Sequence, residues 1–184
     1  MKPTLYFLRS SEQKILTDML HYAMRLDDVN KSLSDIPKLA IYNEFYGFTS
    51  KDLGLYALVD NKLAGAVWIR RLNADHDSNG YIDDSTPILN IAVLPEFRTK
   101  AIGSQMLEQL FIEAGALYEQ ISVSVVRDSP AVGFYERHGF VKYENGTDEK
   151  SFVDGSDVIT MVKKLQKAAI VRPSEGYDPR RWMD

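Results

Sequence analysis

Hydrophobic and polar positions follow two rhythms along the chain, and the changes from one to the other mark its elements. Residues 4–9 are short and apolar-rich and predict a strand. Over residues 11–26 the apolar side chains Ile15, Leu16, Met19, Leu20, Ala23 and Met24 recur every three or four positions, which is one face of a helix. Ser10 and Gln13 stand ahead of it in capping-box spacing. A shorter helix is predicted over 35–42, with Pro37 in its first turn, and an aromatic loop of Phe45, Tyr46 and Phe48 follows. These aromatics either wall a substrate pocket, Tyr46 foremost, or cap the core.

The period changes at 53–59 and 63–72, two β-rich runs separated by Asp60-Asn61-Lys62, and predicts an antiparallel hairpin. Residues 88–93 form an uncharged run with Leu89, Ile91 and Val93 on one face and Ile88, Asn90 and Ala92 on the other, the pattern of a central strand. Helical spacing returns over 102–118, then a strand over 121–126. Strand, helix and strand in that order make a crossover that sets the two strands parallel. Asp128-Ser129-Pro130 opens a helix over 131–137 that Gly139 ends. Strands at 140–143 and 158–165 close the set, joined by a polar, turn-rich connection. The expected fold is α/β in the mixed (α+β) sense: a mostly antiparallel sheet of six to seven strands with a central parallel pair, flanked by about four helices. One domain is expected over 1–168, and 169–184 reads as a disordered tail or a docking arm.

Composition narrows the function. At 184 residues with 45% hydrophobic and 26% charged content, the chain suits one core without staples. No apolar run reaches the ~20 residues of a membrane span, and the N-terminus lacks the long apolar region of a secretory signal, so a cytoplasmic protein with no membrane partner is expected. With no cysteine, thiolate nucleophiles and Cys-ligated zinc are excluded. A net charge of −4 argues against nucleic acid as partner and mildly favours a cationic substrate.

The loop 73–85, with Asp75, His76, Asp77, Asp83 and Asp84, matches no metal motif and reads as solvated turns; its functional alternative is an acidic rim, Asp83 and Asp84, attracting a substrate ammonium. No metal is expected. The stretch 88–109 is more specific. A strand, a Pro-broken turn carrying Arg98 and Lys100, and Gly103 opening a helix make a site for a phosphate-bearing ligand, because unpaired amides and the helix dipole meet there. No G-x-G-x-x-G follows the first strand and no G-x-x-x-x-G-K-[ST] occurs, which excludes dinucleotide oxidoreductase and nucleotide kinase readings.

Arg98-Thr99-Lys100-Ala101-Ile102-Gly103 resembles the acetyl-CoA-binding loop of the GNAT superfamily of N-acetyltransferases, Q/R-x-x-G-x-G/A, with Ala101 where the first Gly is usual. Asp128, Ala131, Phe134, Tyr135, Gly139 and Phe140 resemble that family's N-x-x-A-x-x-x-Y-x-x-x-G-F, with Asp128 for Asn. The resemblance implies acetyl-CoA as co-substrate and a parallel pair splayed to admit it. The backbone of Arg98, Thr99, Lys100, Ala101, Ile102, Gly103 and Ser104 would hold the pyrophosphate, and the pantetheine arm would lie beside Ile91, Ala92 and Val93. Asp128 and Ala131 complete the cofactor site; Asp128 serves alternatively as a helix cap. Tyr135 takes the general-acid position, protonating the leaving thiolate in a ternary complex. The strand Glu that serves many relatives as base is replaced by Ile88. Asn90 orienting a water, with Asp83, Asp84, Glu44 or His76 as proton acceptor, are the open alternatives, while His138 is expected on the solvent side of its helix. The implied activity is acetylation of a small-molecule primary amine. A protein or peptide N-terminus or lysine ranks second, and a non-catalytic acyl-CoA-binding module is the rival from another class. The resemblance also implies a homodimer.

Overall fold

The computed structural model describes residues 2–146 and 148–167. The expected 169–184 tail lies outside them. Strands β1 (Thr4–Phe7), β2 (Leu53–Val59), β3 (Lys62–Arg70), β4 (Ile88–Val93), β5 (Gln120–Val126), β6 (Val141–Lys142), β7 (Glu149–Lys150) and β8 (Asp157–Lys164) build one sheet in the order β1-β2-β3-β4-β5-β8-β6, with β7 also on β8. Among the described residues this is one strand beyond the expected range; the addition is two-residue β7, whose charged Glu149-Lys150 carried no strand signal. All pairings are antiparallel except β4 with β5.

Helices α1 (Gln13–Ala23), α2 (Ile102–Ala114) and α3 (Ala131–Arg137) flank the sheet together with a 3-10 helix, Pro37–Tyr42. The alternating pattern of the strands buries both faces. On one face, α2 and α3 cover Leu55, Val67, Leu89, Ile121, Val123 and Met161, with Met106, Leu110 and Tyr135 reaching in from the helices. On the other, α1 and the 3-10 segment cover Ala66, Trp68, Ile88 and Ala92.

Three local expectations are corrected. Helix α1 is shorter than 11–26: it ends at Ala23, and Arg25 takes φ 55, which a helix cannot continue. Its entry is a 3-10 turn, Ser10–Glu12, in which Arg9 N donates to Glu12 Oε2 at 2.8 Å, so the reciprocal bond falls on Arg9 and Glu12 rather than Ser10 and Gln13. Residues 33–42 wind as 3-10 rather than α-helix, in two pieces, Leu33–Asp35 and Pro37–Tyr42. This segment is tied down from below. Trp68 Nε1 donates to Tyr42 O at 2.8 Å, and Arg70 donates to Ile41 O at 3.1 Å while pairing with Asp52 through Nε at 3.1 Å. A partly buried Arg with this many acceptors fixes the segment's position without regular helix bonds.

Candidate active site

The parallel pair holds only at its start. Ile88 pairs with Ser122, Ser122 N donates to Pro87 O at 3.0 Å, and beyond this point β4 and β5 diverge. Ser122 reinforces the closed end, donating its hydroxyl to Gly80 O at 2.7 Å. Alternate residues of a strand direct their backbone groups to opposite edges. Leu94 N donates to Ala64 O on the β3 side, and Pro87 O accepts on the β5 side. Leu89, Ile91 and Val93 therefore direct their N–H and C=O groups toward β5, where Ile91 and Val93 have no strand partner.

A cleft of about 620 Å³ opens from this gap onto the start of α2. It brings together Ile91, Ala92, Val93, Arg98, Thr99, Ala101, Ile102, Gly103, Ser104, Ala131 and Tyr135. The α2 N-terminus has no side-chain cap, and its first intrahelical bond is Gln105 N to Ala101 O, so the amides of Ile102, Gly103 and Ser104 face the cleft mouth unpaired. Arg98 folds across the open end of β4, donating through Nε to Val93 O at 3.1 Å, with its other end 3.8 Å from Asp27.

Two members of the sequence-derived set fall outside. Lys100 turns back, its Nζ 3.3 Å from Glu96 O and 5.9 Å from the centroid of the Phe97 ring. Asp128 is exposed and is not the cap: Ser129 Oγ accepts from Ala131 N at 3.1 Å.

Ala101 and Thr99 both take left-handed φ, 61 and 64. The family's glycine at the first of these positions thus has a conformational reason, and Ala pays its steric cost. Ala101→Gly is expected to stabilise the fold by about 1 kcal/mol, read as a higher denaturation midpoint at unchanged slope.

A second cavity, of about 150 Å³, lies on the closed side of the splay, lined by Tyr42, Asn79, Asn90, Ser124, Ser151 and Phe152 among others. Tyr135, Arg25, Ile91, Ser129 and Ala131 border both spaces. Tyr135 is 7% exposed; its ring meets Phe134 and Phe140 edge-on at 5.4 and 5.3 Å. Burial pushes its phenol well above the ordinary value, so it stays protonated. Among the described residues nothing accepts a hydrogen bond from its hydroxyl. Asn90 is 8% exposed, and its amide nitrogen has no partner among them.

The expected substrate contacts are corrected in part. Tyr46 is core: its hydroxyl lies 3.4 Å from Leu8 O beneath the sheet, away from both spaces. Asp83 and Asp84 are exposed and line neither; Asp83 accepts from Ser85 N and Asp84 from the Tyr81 hydroxyl. The 73–85 loop contributes Asn79 instead. Neither His76, whose Nδ1 accepts from Asn73 N, nor Glu44 lines the cavity. His138 is not on the solvent side; it is half-buried, with Nε2 3.0 Å from Ser104 Oγ, and burial lowers its pKa. Sequence reading missed Arg25 and Tyr22, which had been placed inside a helix; the left-handed turn at Arg25 that brings it to the site left no Gly or Asn as a signal.

Residues 51–142 match the family model described as acetyltransferase (GNAT) domain. No curated protein sequence matches the chain. Solved structures do. A GNAT-family acetyltransferase from Streptococcus pneumoniae superposes with TM-score 0.63 at 18% identity over 89% of this chain and 99% of its own. The ribosomal-protein-S18-alanine N-acetyltransferase of Escherichia coli gives 0.63 at 18% over 96% and 99%. A phosphinothricin acetyltransferase from Sinorhizobium meliloti, in complex with AcCoA, gives 0.60 at 16% over 100% of both chains. At these identities the superpositions establish the fold, and the family model, spanning half of the sequence, establishes the lineage: the chain belongs to the GNAT acetyltransferase family and is an acyltransferase.

Proposed function

We propose that the enzyme acetylates the primary amine of a small molecule, with acetyl-CoA as donor and both substrates bound together. The observation that carries this reading is the position of Tyr135, on the wall common to the two spaces, holding a proton at Oη that no group among the described residues accepts.

The larger cleft fits the donor. Bare amides at the α2 start, with Arg98 beside them, suit a pyrophosphate. The N–H and C=O of Ile91 and the N–H of Val93, which have no strand partner on the β5 side, suit the amides of a pantetheine arm. Gly103 leaves room between Ile91, Val93 and Phe134. Bound there, acetyl-CoA supplies an activated acetyl group whose transfer to nitrogen yields an amide and a free thiol. Tyr135 then holds a proton for the departing sulfur at the junction, and the apolar side chains around it exclude water. The second cavity is of the size that takes one benzene-sized group, which favours a small acceptor over a protein side chain reaching in from outside.

Release of free thiol from acetyl-CoA over a panel of small amines tests the proposal; turnover confined to peptide or protein amines would replace the acceptor assignment. Among the described residues no carboxylate or histidine lines the acceptor cavity, so the amine enters already deprotonated. The kcat/KM is therefore expected to climb about tenfold per pH unit up to the amine's own pKa. Because the Tyr135 phenol is shifted upward, no falling limb from its ionisation is expected below pH 10. A plateau set near neutral pH by an enzyme group would reveal a base elsewhere.

A further inference from the structure

We infer that the acceptor carries a carboxylate next to its amine, as a small α-amino acid does, and that Arg25 and Asn90 bind it. This rests on the assignment of the smaller cavity to the acceptor. Its lining holds one charged side chain, Arg25, and no Asp or Glu. A cavity that selected a polyamine or any other multiply cationic amine would need anionic groups to replace the water around each ammonium, since an unpaired buried charge is strongly unfavourable. The one charge on this lining has the opposite sign.

The polar groups facing the cavity divide into the satisfied and the unsatisfied. Tyr42 Oη accepts from Asn79 N at 3.1 Å, and the Asn79 side chain donates to Lys150 O at 3.2 Å and toward Glu149 at 3.3 Å. Ser129 Oγ and Ser151 Oγ each accept from a backbone amide two residues on, at 3.1 Å. Among the described residues lining the cavity, Asn90 alone offers a buried amide nitrogen with no acceptor. A buried donor left unpaired is costly, and the group that satisfies it must bring an oxygen. Glu149, the carboxylate behind Asn79, is already engaged by Asn79 and Gly80 N and does not line the cavity.

Arg25 completes the pair. It is exposed at the rim between the two spaces, one edge on Asp28 at 2.7 Å and NH1 3.5 Å from Ser129 Oγ, a contact too long to hold it. A carboxylate arriving at the rim meets the free face of this guanidinium, and its far oxygen or an adjacent carbonyl meets Asn90 inside. The volume of about 150 Å³ limits the rest of the molecule to a small side chain.

The experiment compares amino acids such as alanine, serine and methionine with the amines lacking their carboxylate, and with spermidine, on the full-length protein. Acetylation is followed by thiol release, and binding to the acetyl-CoA complex by calorimetry. The carboxylate-bearing amines are expected to show a kcat/KM at least ~30-fold above their decarboxylated counterparts once corrected for neutral-amine fraction. Arg25→Ala should raise their KM about tenfold with little change in kcat, and raise the KM of the decarboxylated amines at least threefold less. Asn90→Asp, which puts an anion in the cavity, should reverse the preference. Equal or better use of decarboxylated amines or spermidine overturns the inference. If acetyl-CoA binds and no amine is acetylated, the catalytic reading fails by itself. Calorimetry then still decides the acceptor class, through tighter or absent binding of the carboxylate-bearing members.

Discussion

Tyr135→Phe is expected to lower kcat by about 10²-fold or more while the protein stays folded and both substrates bind as before. The substitution removes one oxygen and keeps the ring that packs against Phe134 and Phe140. Because the hydroxyl has no hydrogen-bond partner among the described residues, its loss strands no buried group, and stability should change by less than about 1 kcal/mol. The whole effect therefore falls on proton supply to the departing sulfur. Steady-state thiol release with a thermal melt measures both sides. A variant with unaltered kcat and an unaltered melt would remove Tyr135 from the chemistry and move the acid elsewhere in the cleft.

The second large effect is expected at Gly103. Gly103→Leu should weaken acetyl-CoA binding by about 100-fold or more and still fold. A Cβ built at this position meets nothing nearer than 3.6 Å, the contacts being Phe134, Val93 and Ile91. These three side chains line the cleft, so a longer residue extends into the space meant for the donor. Helix propensity works in favour of the variant, Leu being preferred to Gly by about 0.8 kcal/mol inside a helix. Calorimetric titration with acetyl-CoA and a chemical melt separate the outcomes; full affinity in Gly103→Leu would place the pyrophosphate away from the α2 start. Gly65 is the contrasting case. A Cβ there lies 2.5 Å from Ala92 O, so a side chain would break the β3–β4 pairing itself.

The parts of this molecule that are legible in the sequence are those whose signal is local. The uncharged run of β4, the hairpin β2–β3 and the spacing of Met106, Leu107 and Leu110 each declare a period that the fold uses. The larger cleft, proposed for the donor, could be anticipated because most of its residues lie within two short stretches, one from β4 into α2 and one on α3. The smaller cavity, proposed for the acceptor, could not. Its lining is assembled from the end of α1, the 3-10 segment, the 73–85 loop, both splayed strands and the β7–β8 turn, and no sequence spacing relates Arg25 to Asn90 or Asn79. The 73–85 loop forms the solvated turns its composition suggests: Asp83 accepts from its own turn amide and Asp84 from a neighbouring Tyr, which is how exposed Asp residues satisfy themselves without any ligand. The left-handed turns at Arg25 and Ala101 were equally silent, since neither position carries the Gly or Asn that ordinarily announces one.

The divergence of β4 from β5 also bears on how long the protein survives in solution. An interrupted ladder in the middle of a sheet is a seam along which local opening costs least, and the amides of Ile91 and Val93 lie on it. A donor that lays its own amides along the seam takes the place of the absent rungs. By mass action it adds about 2.7 kcal/mol at a concentration 100 times its dissociation constant. Solvent exchange at those two amides, and resistance to proteases with it, would then follow the acetyl-CoA supply, so that the enzyme is longest-lived when its donor is abundant.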